Sequence, residues 1–410
     1  MAYTTIDDPS GHNQGLFFTG TGSAHKISYD GNAESYIPDI YFVKNMGGSD
    51  HPEHTDSIRT GGITSSQEQA SYGSRDMDIL DELASDGYTV GTAGQGNANG
   101  KEHMVLTWNC GSTATITTTG NNITSVSASG SAVAHGYSVN TTAKQSMVTY
   151  AGTGNSGAEV PHHLGVKPSF AWFRQLGETS GWGYYAANTF HCYKDFLPLN
   201  DDNFDDGNDG GNAGGTWHYA PFGNNGPGGI YQFSAAPDST KFSLGPNNGT
   251  NESGHDYVMY AFSELQGYFK TGFYEGNGDA NGPFVYTGFE PEMILINAQD
   301  NGTNPSSNGQ LGHATGYYGG WYWFVNGMTT NGFNPHDKTW MMALSYDMTD
   351  YDQDALDILS NGFKIRAPGG DVSGGWQAGN QVDKTFWYAA WAKHPFVTSD
   401  DGGSIPATAV

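Results

Sequence analysis

The sequence predicts an all-β protein of three tandem antiparallel β-sandwich domains, jelly-roll or lectin-like, with an inserted β-hairpin arm. Three observations predict it. Four landmarks recur in one order three times, the apolar runs are short and rich in aromatic and β-branched residues, and glycine turns punctuate them. They divide the chain into a first repeat with its N-terminal segment (1–109), a Ser/Thr/Gly-rich β-arm or linker (110–146), a second repeat (147–266), a third repeat (267–398) and a tail (399–410).

Each repeat opens with a run ending in Gly-x-Gly: LFFTGTGS (Gly20, Gly22), MVTYAGTGNSG (Gly152, Gly154) and TGFYEGNGDANG (Gly276, Gly278). Such a pair supplies positive φ in a tight connection. A proline then starts a strand: PDIYFVK from Pro38, PSFAWFR from Pro168, PEMILIN from Pro291. Proline at the first strand position removes no ladder hydrogen bond, and the runs that follow read as central strands. A turn-strand comes next: SDGYTVG to Gly91, STKFSLG to Gly245, SNGFKIR to Arg366. An aromatic strand closes each copy: HMVLTW to Trp108, YVMYAF to Phe262, FWYAAW to Trp391. In the first and third copies, MDILDELASDGY and QDALDILSNGF show i, i+3, i+4 apolar spacing with a Gly stop, which predicts one or two helical turns. Between the first two copies, TATITTT-GNN-ITSVSAS alternates around Gly120-Asn121-Asn122; it reads as a projecting hairpin, with a low-complexity linker as the alternative. The last two copies are joined almost without linker, so those domains are expected to sit rigidly together.

The 410 residues include 16 Lys+Arg against 42 Asp+Glu, a net charge of −26. So few cations cannot build a phosphate-tracking surface, which excludes nucleic acid and disfavours an anionic membrane surface. With 10 Trp, 24 Tyr and 21 Phe the chain can offset its ordering entropy, which excludes intrinsic disorder. No run approaches the length of a membrane span, and the opening MAYTTIDDPSGHNQG lacks the basic and apolar regions of a signal peptide. Cys110 and Cys192 are too few for a disulfide framework; a reduced pair is the simplest reading.

The acidic loop at 201–209 places oxygens at Asp201, Asn203, Asp205 and Asp209, residue types that suit calcium. Its glycine is out of register with an EF-hand and no Glu closes it, so a solvated acidic loop is the first reading. No other cofactor is expected. His51, Glu53 and His54, and the pair His162-His163, offer zinc donors, but Pro52 breaks the helix that an HExxH-type site requires; loop histidines are expected. Carboxylates such as Asp347, Asp350, Asp352 and Asp354 lie close in sequence, which carries nothing in so acidic a chain. No nucleophile elbow, Cys–His arrangement or phosphate loop is present, and no catalytic residue is assigned. The aromatic clusters at 316–324, 181–185 and 374–377 offer Trp321, Trp323, Trp182 and Trp376 either as stacking platforms for glycans or as core and interface residues.

The string GYFKTGFYEGNGDANGPFVYTGFEPEMILIN, the segment DILSNGFKIR, TYAGTGNSGAEVPHHLGVKPSFAWFR and YVMYAFSELQGY resemble a repeated β-domain family of virion structural and tail-fibre-like proteins from bacteriophages of marine bacteria. The opening YTTIDDPSGHNQGLFFTGTGS is similar to the start of many of them, and the resemblance runs from about Tyr3 to Phe396. It departs from the family pattern at Asn297, where a basic residue is usual, and in the first copy, which lacks the Gly-Pro pair present at Gly282-Pro283. The resemblance implies a non-enzymatic virion protein made in the host cytoplasm and carried on the particle exterior, as a head or tail decoration protein. The alternative is a fibre or receptor-binding protein recognising host surface glycans. Expected partners are other virion proteins, further copies of the chain and, in the alternative, a host glycan.

Overall fold

A computed structural model describes residues 4–29, 35–46, 53–57, 67–69, 74–75, 78–111, 133–175, 182–186, 233–246, 248–299, 321–329, 334–341, 349–350, 354–366, 379–382 and 385–397. The protein is all-β. The first repeat contains β1 (Asn13–Thr19), β2 (His25–Ser28), β3 (Ile40–Asn45), β4 (Glu53–Asp56), β5 (Gln67–Gln69), β6 (Ser74–Arg75), β7 (Leu80–Ala84), β8 (Gly87–Val90) and β9 (Glu102–Trp108). The second contains β10 (Val133–Asn140), β11 (Gln145–Ala151), β12 (Ala158–Pro161), β13 (Phe170–Gln175), β14 (Trp182–Ala186), β15 (Phe233–Ala235), β16 (Lys241–Leu244) and β17 (Asp256–Phe262). The third contains β18 (Phe269–Glu275), β19 (Phe284–Tyr286), β20 (Phe289–Gln299), β21 (Trp321–Val325), β22 (Lys338–Met341), β23 (Thr349–Asp350), β24 (Leu356–Leu359), β25 (Gly362–Ile365) and β26 (Thr385–Pro395).

Each repeat forms one large and one three-stranded sheet; the small sheets share one connectivity and the large ones a common three-strand centre, with β10 added outside the opening strand β11 in the second. The large sheets run β1-β9-β3-β4-β5-β6, β10-β11-β17-β13-β14 and β18-β26-β20-β21-β22-β23; the small ones run β2-β8-β7, β12-β16-β15 and β19-β25-β24. In all three, the opening strand pairs with the closing strand, which pairs with the proline strand. The runs after Pro38, Pro168 and Pro291 are therefore interior strands, as their sequences predict. Register repeats as well: Ile40 lies opposite Trp108, Phe170 opposite Phe262 and Met293 opposite Trp391. Pro291 differs from the other two prolines in lying inside its strand, where register shifts on both sides accommodate it.

The interior strands are buried on both faces, which is why β3 and β13 read as continuous apolar runs rather than alternating ones. Alternate residues enter different cores. Tyr41, Val43 and Val105 pack with Leu80, Tyr88 and Val90 of the first small sheet, and Ala171, Phe173 and Met259 pack with Phe242 and Leu244 of the second. The opposite faces, carrying Ile40, Phe42, Trp108, Phe170, Trp172, Phe262, Trp323 and Trp391, meet in one cluster drawn from all three repeats.

At its centre Trp108 lies 5.7 Å from Trp391, 6.1 Å from Trp172 and 6.1 Å from Trp323, and Trp172 lies 6.2 Å from Trp391. Phe42 against Tyr260 joins the first repeat to the second, and Phe262 against Phe269 joins the second to the third. The ring closes where the Gly15 amide donates to Glu292 Oε1 at 3.0 Å. A side chain at Gly15 would collide with Val325 there, so this close approach of β1 requires glycine. Each buried ring contributes about 1.5–3 kcal/mol, and here those contributions are shared among the repeats.

The two predicted helical turns are strands. Residues 77–88 and 353–363 supply β7 and β24, each hairpinned to the turn-strand that follows. In β7 a register shift between Leu80 and Glu82 inserts a residue, so Leu80 and Leu83 reach the same core at i, i+3 spacing. A bulge thus imitates helical periodicity. The described α-helices are single turns elsewhere, α1 (Gly94–Asn97) and α2 (Asn248–Asn251). The predicted hairpin around Gly120 lies outside the described residues; Val133–Asn140, later in the same segment, is β10 and pairs with β11.

Candidate functional site

The Gly-x-Gly turns are held by a device that spacing alone did not reveal. A fully buried asparagine, Asn97, Asn251 or Asn380, sits against each turn. Its side-chain oxygen accepts from the amide of the middle residue: Thr21 at 2.8 Å, Thr153 at 2.8 Å and Asn277 at 3.0 Å. Its backbone carbonyl accepts from the second glycine: Gly22 at 2.9 Å, Gly154 at 2.6 Å and Gly278 at 2.8 Å. That glycine has φ between +70° and +72° in every copy, where an L side chain is strained. The first glycine has no room for a side chain, because a Cβ would strike the carbonyl of Ala98, Glu252 or Gln381. A usable signal was in the sequence: each asparagine stands at the same distance ahead of Trp108, Phe262 or Trp391.

A buried polar seam joins the first two repeats. Lys44 and Arg174, each six residues after its strand's proline, are fully buried, as are His54 and Asp56 on β4. The Tyr260 hydroxyl donates to Asp56 Oδ2 at 3.2 Å and meets His54 Nδ1 at 3.4 Å, while the His54 ring stacks on Phe42 at 5.4 Å. By register, His54 and Asp56 occupy the places that Trp323 and Val325 hold in the third repeat. Polar groups here must be paired, since an unpaired buried group costs about 1–3 kcal/mol. The seam can fix how two repeats meet; it offers no open face to a substrate.

Other predicted residues divide as follows. Trp323 is a core residue: it is 1 % exposed and stacks on Trp391 at 5.5 Å, so a sugar face cannot reach it and the glycan alternative fails at this position. Trp182 and Trp321 lie in β14 and β21, with side chains outside the described set, and Trp376 lies outside the described residues. So do the calcium candidates Asp201, Asn203, Asp205 and Asp209, and His51 and Cys192. His54 is a strand residue rather than a loop histidine, and His162 is buried. Cys110 is buried in an acidic setting: its amide donates to Asp39 Oδ2 at 2.6 Å, and burial, reinforced by Asp39 and Asp56, holds its thiol well above the ordinary range. Such a thiol is unreactive. Among the described residues no three His, Cys, Asp or Glu are grouped to hold a metal, and no helix is long and apolar enough to cross a membrane.

Two histidines make stability depend on pH. His162 accepts the Leu164 amide on Nδ1 at 3.2 Å and meets the Asp238 carbonyl through Nε2 at 3.1 Å. Burial lowers it, and likewise His336, from 6.5 to about 4. The unfolded chain therefore takes up these protons near pH 6.5 while the folded chain refuses them until about pH 4. Their contribution to stability is complete above pH 6.5 and declines by about 1.4 kcal/mol per pH unit per histidine between those limits. Urea titrations across the window should show His162→Gln flattening the decline by one histidine's share; an unchanged slope would contradict a neutral folded His162.

One aromatic pair lies outside. Phe284 and Tyr286 flank the inward Val285 on β19 and are 48 % and 47 % exposed. Lys270 Nζ donates to the Tyr286 carbonyl at 2.9 Å and stands 5.3 Å from its ring centroid. Lys364, directly across from Phe284, donates to Asn281 Oδ1 at 2.5 Å.

No curated protein and no solved structure matches the chain. A family model described as "Domain of unknown function (DUF7483)" matches residues 8–218 and 223–395, and the chain belongs to that family.

Proposed function

We propose that this protein is a non-enzymatic structural component of the outside of a bacteriophage particle, a head or tail decoration protein built as three tandem β-sandwiches. The observation that supports this best is where its repeated residues are used. The landmarks common to all three copies serve turns, latches and a shared aromatic interior, which is what a rigid block requires. A net charge of −26 suits an outer surface facing solvent. Its partners are capsid or tail proteins and further copies of the chain, and calcium at 201–209 would be an accessory to this role.

Antibody labelling of intact particles with copy counting tests the reading. Hundreds of copies over the head, or a ring of copies along the tail, are the expected results. Absence from the particle overturns it. The exposed Phe284 and Tyr286 favour a second reading, recognition of a host surface glycan, for which a few copies at the tail tip are expected instead.

A further inference from the structure

We propose that the outer face of the third small sheet, centred on Phe284 and Tyr286 with Lys270 and Lys364 beside them, binds an acidic polysaccharide. This rests on the second reading above and gives it a place and a ligand class.

The three repeats provide an internal comparison. Val285, Ile27 and Val160 occupy one inward position, opposite Phe363, Tyr88 and Phe242. The outward neighbours of that position are Lys26 and Ser28 in the first repeat and Glu159 and Pro161 in the second. In the third they are Phe284 and Tyr286. The architecture is therefore satisfied without aromatics there, and two half-exposed rings on one strand face need another reason. Side chains two apart on a strand are about 7 Å from one another, so neighbouring sugar rings can each lie on one of them. Aromatic faces of this kind bury the apolar face of a ligand while its polar rim stays wet.

The charge beside the rings selects the ligand. Lys270 and Lys364 make their described contacts with neutral groups, the Tyr286 carbonyl and ring and the Asn281 amide. Asp357, the carboxylate across from Lys364, is taken by Arg366 at 2.6 Å. In a chain with 16 cations and 42 anions, two lysines flanking exposed rings without a carboxylate partner among the described residues form a local site for carboxylate or sulfate groups. A protein partner fits less well. Lys270 caps the Tyr286 carbonyl on the open edge of β19, which obstructs addition of a further strand.

Affinity electrophoresis at physiological ionic strength, with polygalacturonate, dextran sulfate or neutral dextran cast in the gel, tests this with the full chain. The expected result is retardation by at least one acidic polymer. It should fall at least tenfold in Phe284→Ser/Tyr286→Ser and at least fivefold in Lys270→Gln/Lys364→Gln, with both variants melting like the parent. Retardation equal in the parent and the Ser variant overturns this site and leaves glycan recognition standing elsewhere. Retardation by dextran alone overturns the acidic class. No retardation of the parent by any of the three overturns the site.

Discussion

Trp391→Ala should lower folding stability by about 3–5 kcal/mol, the usual cost of emptying a large aromatic site that cannot collapse. The side chain is fully buried and touches rings from every repeat: Trp108, Phe170, Trp172, Phe262, Phe269 and Trp323 lie between 4.8 and 6.4 Å away. Its loss therefore falls on the whole chain. Urea unfolding followed by tryptophan fluorescence and by far-UV circular dichroism should give one transition, moved to lower urea for both probes. Two transitions, with only the later repeat weakened, would contradict the shared interior. Trp391→Phe should cost much less. Phe262 fills the matching place in the second repeat, and the indole N–H of Trp391 has no hydrogen-bond partner among the described residues to lose.

Asn251→Ala should cost about 3 kcal/mol. The substitution removes an acceptor from the Thr153 amide and withdraws donors from the Asn155 carbonyl at 2.8 Å and the Gly245 carbonyl at 2.9 Å. Each lost bond is worth about 1 kcal/mol, and stranding buried backbone groups adds to it. Asn97→Ala and Asn380→Ala should behave alike, because Asn97 also donates to the Gly91 and Ser23 carbonyls and Asn380 to that of Asp279. Chemical denaturation of the three variants checks this. A loss near zero for any one would mean that its turn is held by the glycine conformation rather than by the amide.

The fold was legible wherever one landmark stands for one local event. The proline strands, the turn-strands and the closing strands all occur where their residues predicted. Two things escaped. The spacing of Leu80 and Leu83 is ambiguous, because a bulged strand and a short helix can bury the same residues, and only the pairing with Tyr88 and Val90 decides. The common interior was written in YVMYAF and FAWFRQ, whose lack of alternation means burial on both sides. Nothing in a linear pattern says that the second side belongs to a neighbouring repeat. Trp323 stayed undecided between core and glycan platform for the same reason: its glycine-rich flank fits either, and its core partner, Trp391, is remote in sequence. The Phe284–Tyr286 pair went unnoticed because its two residues serve equally well as an ordinary alternating strand until exposure is known.

The ring of three repeats closed by Gly15 and Glu292 lies within one covalent chain, which changes its mass action. Three separate repeats meeting at such an interior would form a complex whose persistence depends on protomer concentration. Joined end to end, each is held at a high effective concentration near the others, so dilution cannot separate them. Covalent connection also releases the centre from the sameness that identical subunits impose. One repeat can place His54 and Asp56 where another places Trp323 and Val325, a difference that a trimer of identical chains could not make.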